Sequence, residues 1–129
     1  MEPDISRRTL LAAGTALLSG KAVAQKLAKP KPKVAIFSKH LQFVPDGDGL
    51  AQAAAEIGFD AIDLTVRKGG HVEPERVRQE LPGMVAAIRK RGLEVPMITT
   101  DIIDIESPYA EDILKTMADL GIRTIAGVV

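Results

Sequence analysis

A chain of 129 residues can bury one hydrophobic core of useful size but not two. It has no Cys, which excludes disulfides, Cys-ligated zinc and thiol catalysis. Its 17 Lys/Arg and 17 Asp/Glu cancel, but unevenly: residues 1–33 hold seven of the bases and only two acids, Glu2 and Asp4, leaving 10 basic and 15 acidic residues beyond Lys33. That mildly acidic remainder lacks the footprint of a nucleic-acid binder.

The basic residues belong to a leader. Ser6-Arg7-Arg8-Thr9-Leu10-Leu11 resembles the twin-arginine export pattern, the apolar run "LLAAGTALLSG" follows, and Ala22-Val23-Ala24 offers a small-x-small cleavage site. The run is far shorter than the about 20 residues that span a bilayer, so no stable membrane anchor is expected. The order predicts an export signal over 1–24, a Lys/Pro linker over 25–32, a folded domain over 33–129, and a periplasmic or other extracytoplasmic location.

"KVAIFS" reads as the first strand. Leu50, Ala53, Ala54 and Ile57 then recur at helical spacing, and Asp48 is the expected cap of that helix. "GFDAIDL" is a second strand, read as buried on both faces. Pro74 suits the first turn of the next helix, whose stripe is Val77, Leu81, Met84, Val85 and Ile88. Pro82 predicts a break or kink near Leu81. "GLEVPMI" is a third strand. Ser107-Pro108 reads as an N-cap followed by Pro at N1 of a helix carrying Ile113, Met117 and Leu120, and "TIAGV" is a fourth strand. Gly58, Gly92 and Gly121 each follow a helix, where a left-handed residue closes the last turn.

Strict alternation of strand and helix means an α/β fold with parallel strands and right-handed crossovers. The fold class expected is the N-terminal half of a TIM (β/α)8 barrel, truncated after strand 4, since a full barrel takes about 250 residues. An open doubly wound sheet of four strands is the alternative.

Both architectures place functional residues at the C-terminal strand ends. Those ends hold Ser38, Lys39, His40 and Gln42; then Thr65, Arg67, Lys68 and His71; then Thr99, Thr100, Asp101 and Asp104; and finally Gly127 and Val128. His71 follows Gly69-Gly70, where glycine allows a turn and close approach, with Gly70 expected at positive φ. It reads either as a hydrogen-bond partner of a ligand or as an exposed loop residue; a metal-ligand role is disfavoured because no second His sits at ligand spacing. "DGDG" (46–49) lacks the acids of a calcium loop and reads as a turn with a cap. Of the acids in "DIIDIE", Asp101 is the one retained, because it follows Thr99-Thr100 at a strand end. "RKRG" complements its own helix's dipole.

"KVAIFSKHLQF", "AAAEIGFDAIDLTVRKGGHVEPERV", "LPGMVAAIRKRGLEVPMITTDI" and "ILKTMADLGIRTI" together resemble the N-terminal half of the xylose-isomerase-like TIM barrels, the sugar phosphate isomerases and epimerases. The likeness runs from Lys33 to Val129. It implies metal-assisted proton transfer on a sugar or hydroxy-carbonyl substrate, with a divalent metal (Mn, Mg, Co or Zn) holding substrate oxygens. In that family the metal ligands and acid/base carboxylates lie mainly on later strands, so no metal ligand and no catalytic residue is assigned to this chain. His71, Lys39 and His40 carry over as substrate contacts, and Asp101 joins them by position. The implied partner is a small carbohydrate, with no nucleic acid, and open barrel edges would allow self-association. Two rival functions are a non-catalytic exported sugar-binding module and a metal-dependent phosphodiesterase of the apurinic-endonuclease type.

The leader generates a direct prediction. Mass spectrometry of protein from the extracytoplasmic fraction should find a mature chain starting at or near Gln25, and an intact Met1 in the cytoplasm would refute export.

Overall fold

Along "AIDLTV" the apolar Ile62, Leu64 and Val66 alternate with Asp63 and Thr65, the period of a strand with one apolar face. In the computed structural model, which describes residues 29–127, this segment is strand β2 (Ala61–Val66). It lies between β1 (Ala35–Phe37) and β3 (Glu94–Thr100), with β4 (Thr124–Ala126) beyond. All three pairings are parallel and the order is β1-β2-β3-β4. Thr65 pairs with Thr99, and the register shifts between Ala61 and Asp63. The leader, the cleavage point, residues 25–28 of the linker and Val128 lie outside the described residues. The chain divides into two units, Met1–Pro32 and Lys33–Val129.

The crossovers are helices α1 (Gly47–Ile57), α2 (Val77–Lys90) and α3 (Ala110–Asp119). A right-handed crossover to the adjacent strand, repeated without reversal, places successive helices on one face of a sheet. The core agrees: Ile36, Ile62, Leu64, Val66 and Ile98 share one buried cluster with Leu50 and Ala54 of α1, Leu81, Val85 and Ile88 of α2, and Ile113 and Met117 of α3. Each large side chain buried there contributes about 1.5–3 kcal/mol. The order has no switch point among the four strands, so the doubly wound alternative does not describe them. No helix among the described residues is long and apolar enough to cross a membrane.

Several helix ends differ from expectation. The cap of α1 is Asp46, not Asp48: its side chain accepts from Gly49 N–H at 2.6 Å. Helix α2 runs through Pro82 without a break, preceded by a 3-10 turn (Pro74–Arg76) that begins on Pro74 as expected. Ser107 does not cap α3. Its hydroxyl accepts from the N–H groups of Ile103 and Asp104 and so folds the preceding loop, while Tyr109 occupies the cap position. Gly58, Gly92 and Gly121 do take positive φ, at 103°, 79° and 75°. Arg89 of "RKRG" serves a neighbour, donating to the carbonyl of Leu120 just past α3 at 2.7 Å.

Two glycines separate local propensity from packing. A Cβ at Gly83, inside α2, would meet nothing within 4 Å, whereas one at Gly47 would lie 3.0 Å from Ala87 Cβ. Gly83→Ala should therefore stabilise by about 0.5–1 kcal/mol. Gly47→Ala should destabilise by about 1–3 kcal/mol, with urea unfolding as the measurement.

Candidate functional site at the strand ends and the open sheet face

The sheet face away from the helices carries Phe37, Asp63, Thr65, Arg67, Met97 and Thr99, because their neighbours at odd spacing point into the core. Asp63 is half-buried, and Thr99 Oγ1 donates to both of its carboxylate oxygens at 2.9 and 3.0 Å. Burial pushes the Asp63 carboxyl above the usual aspartate range, while the Thr99 hydrogen bond and then the charge of Arg67 pull the other way. The Arg67 guanidinium lies 5.7 Å from the Phe37 ring centre, and His40 meets the same ring edge-on at 6.0 Å. A carboxyl with a raised pKa beside a fixed hydroxyl and a guanidinium can exchange a proton with a bound hydroxyl and hold an oxygen that gains charge.

His71 sits in a fully wired network instead of projecting freely. Its Nε2 is 3.0 Å from the carbonyl of Val44, which can only accept, so Nε2 carries the hydrogen. Nδ1 then accepts from the hydroxyl of Thr65 at 3.1 Å. Thr65 Oγ1 in turn accepts from His71 N–H at 2.9 Å and from the hydroxyl of Ser38 at 3.1 Å. Ser38 Oγ completes the set by accepting from Thr65 N–H at 2.9 Å. A ligand at His71 would have to displace one of these partners. What the network does is join the end of β2 to the loop that follows β1.

The two glycines before His71 act differently from each other. Gly69, not Gly70, has the positive φ, 71°. Gly70 is required by closeness: a Cβ there would be 3.0 Å from the Arg67 carbonyl and from Thr65 Cβ and Oγ1.

Lys39 and His40 are exposed on the 3-10 turn Ser38–Leu41. Asp101 is exposed beyond β3, and its Oδ2 accepts from Lys68 N–H at 3.1 Å. It lines a cleft of about 640 Å³ between the loops after β2 and β3, together with Lys68, Arg76 and Tyr109. The four candidates from the sequence thus fall in three places: Lys39 and His40 on the β1 turn, His71 in the hydroxyl network, and Asp101 in the cleft. Asp63 was missed because β2 was read as apolar on both faces, although the alternation in "AIDLTVR" marks it.

What the fold and site define is an α/β protein with a four-stranded parallel sheet, helices on one face and a polar row on the other. No family model, curated protein or solved structure matches the chain.

The raised Asp63 pKa sets a pH dependence. Its contribution to stability is fully present below the unfolded value of about 3.9 and is lost as pH rises through the higher folded value. In Asp63→Asn the amide oxygen would still accept from Thr99, with no charge to bury. Relative to the parent, this variant should therefore melt at higher temperature at pH 7, with the advantage shrinking as pH falls toward about 3.

Proposed function

We propose that this chain is exported and forms the first three β/α units and the fourth strand of a (β/α)8 barrel of the xylose-isomerase-like kind. In that barrel it would supply the substrate side of a sugar isomerase or epimerase site. The observation that carries the reading is the open sheet face. Parallel sheets are almost always covered on both faces. Here helices cover one, while the other holds Asp63, Thr99 and Arg67 beside Phe37 and Met97, a mixed face in place of a second all-apolar layer. In a barrel that face is the interior, and the sequential strand order is the winding a barrel uses. A fourth helix and four more strand-helix units, from continuing chain or a second copy, would close it.

Moving a proton between neighbouring carbons of a hydroxy-carbonyl compound needs an acid, a base and stabilisation of the charge that develops on oxygen. Asp63 suits the contact to a substrate hydroxyl, with Thr99 fixing its orientation, and Arg67 suits the oxygen that gains charge. His71 acts through Thr65, holding the β1 loop in place beside Lys39 and His40. Among the described residues no three His, Asp or Glu side chains come together to hold a metal.

Titrating D-xylose, D-fructose and a phosphorylated hexose into isotope-labelled protein tests the reading. The amide signals of Asp63, Thr65, Arg67 and Thr99 should shift saturably, and Asp63→Ala should weaken that binding about tenfold, the worth of a hydrogen bond to a charged group. Spectra unchanged by all three sugars would sink it.

A further inference from the structure

Tyr109 is the one non-glycine residue with positive φ among the described residues, at φ 63° and ψ 11°. An aromatic residue adopts this conformation rarely, and neighbouring structure must hold it there. No cap hydrogen bond accounts for it, since the Tyr109 side chain makes none to α3. The residue is 47% exposed and lines the cleft between the loops after β2 and β3. Pro74, Ile102, Pro108 and Ile113 supply the cleft's other apolar lining. Five charged groups line it: Glu73, which accepts from Gly69 N–H, Glu75, Arg76, which pairs with Glu80, and Lys68 and Asp101, joined by Lys68 N–H on Asp101 Oδ2, with Asp101 Oδ1 unpartnered among the described residues.

We propose that this cleft binds a pyranose ring. Tyr109 and the prolines would meet the C–H face of the sugar, Asp101 Oδ1 would accept from a ring hydroxyl, and the Lys68 ammonium would donate to another. The volume, about 640 Å³, lies within the range of small-molecule sites, roughly 300–1,000 Å³. An aromatic and proline surface rimmed by charged acceptors and donors suits a molecule with an apolar face and a rim of hydroxyls. It suits a flat aromatic ligand less, because that would leave Asp101 and Lys68 unused. The proposal rests on the carbohydrate reading above but concerns different residues, and it implies a ligand with a sugar ring outside the reacting centre.

The chain provides its own probe. Tyr109 is its single Tyr and there is no Trp, so tyrosine fluorescence of the full chain reports on this cleft alone. The ligand to use is methyl glucopyranoside, whose locked anomeric carbon cannot open to a carbonyl and so cannot be an isomerase substrate. Millimolar glycoside should change the emission saturably, and Lys68→Ala or Asp101→Asn should each weaken binding about fivefold. Tyr109→Gly keeps the positive φ without strain, so it should fold with an equal or higher melting temperature. By saturation-transfer NMR it should lose at least about tenfold in glycoside affinity. Unchanged emission at saturating glycoside, or equal affinity in Tyr109→Gly, overturns the proposal. Glycoside binding without sugar-induced shifts at Asp63 would leave the cleft standing and remove the isomerase reading; the reverse pattern would do the opposite.

Discussion

The connection of each parallel strand to its immediate neighbour through a helix is the constraint on which the rest of this molecule hangs. Repeated through β1, β2, β3 and β4, it sends α1, α2 and α3 to one side and gathers the apolar residues of strands and helices into one cluster. The other side of the sheet is then free of helices, and alternation along β2 and β3 fills it with Asp63, Thr65 and Thr99. The same winding brings the loops after β2 and β3 together at the C-terminal edge, where Lys68 and Asp101 meet across 33 residues of sequence. Core, polar face and cleft are three consequences of one winding order.

Thr65 is the point at which the sheet and its loops are fastened together. Its side chain is almost fully buried and its hydroxyl oxygen serves His71 twice and Ser38 once, with each donor matched to an acceptor. A buried network of this kind stabilises only when every member is satisfied, since an orphaned buried donor costs about 1–3 kcal/mol. Among the described residues no buried side-chain nitrogen or oxygen lacks a partner. Asp63 represents the opposite choice. Its half-buried carboxylate carries a desolvation penalty that Thr99 and Arg67 only partly offset.

Much of this could be read before any coordinates. The three Gly residues after helices, the helical stripes of Leu50, Leu81 and Ile113, and Pro74 opening the 3-10 turn before α2 all concern interactions within four or five residues and hold, except that Ile57, expected on the first stripe, is exposed at the helix end. The misplacements have physical reasons. Asp46 and Asp48 are both competent caps, and only the path of the chain leaving Val44 decides between them. Pro82 removes one hydrogen bond from α2, yet Leu81, Val85 and Ile88 buried on one face hold the helix together. Ser107 had two competing uses for its hydroxyl, and the loop took it.

For the site, the sequence by itself determined the class of fold, the alternation that makes β2 two-faced, and the concentration of polar residues at strand ends, because periodicity and punctuation are local. The tertiary structure alone decided which of those residues meet. His71 is turned inward by Val44 and Thr65, 27 and 6 residues away; Asp63 is oriented by Thr99, 36 residues on; Asp101 is joined to Lys68. Such pairings depend on strand register and loop closure, which are set by the packing of the whole sheet against its helices, so no window of sequence contains them.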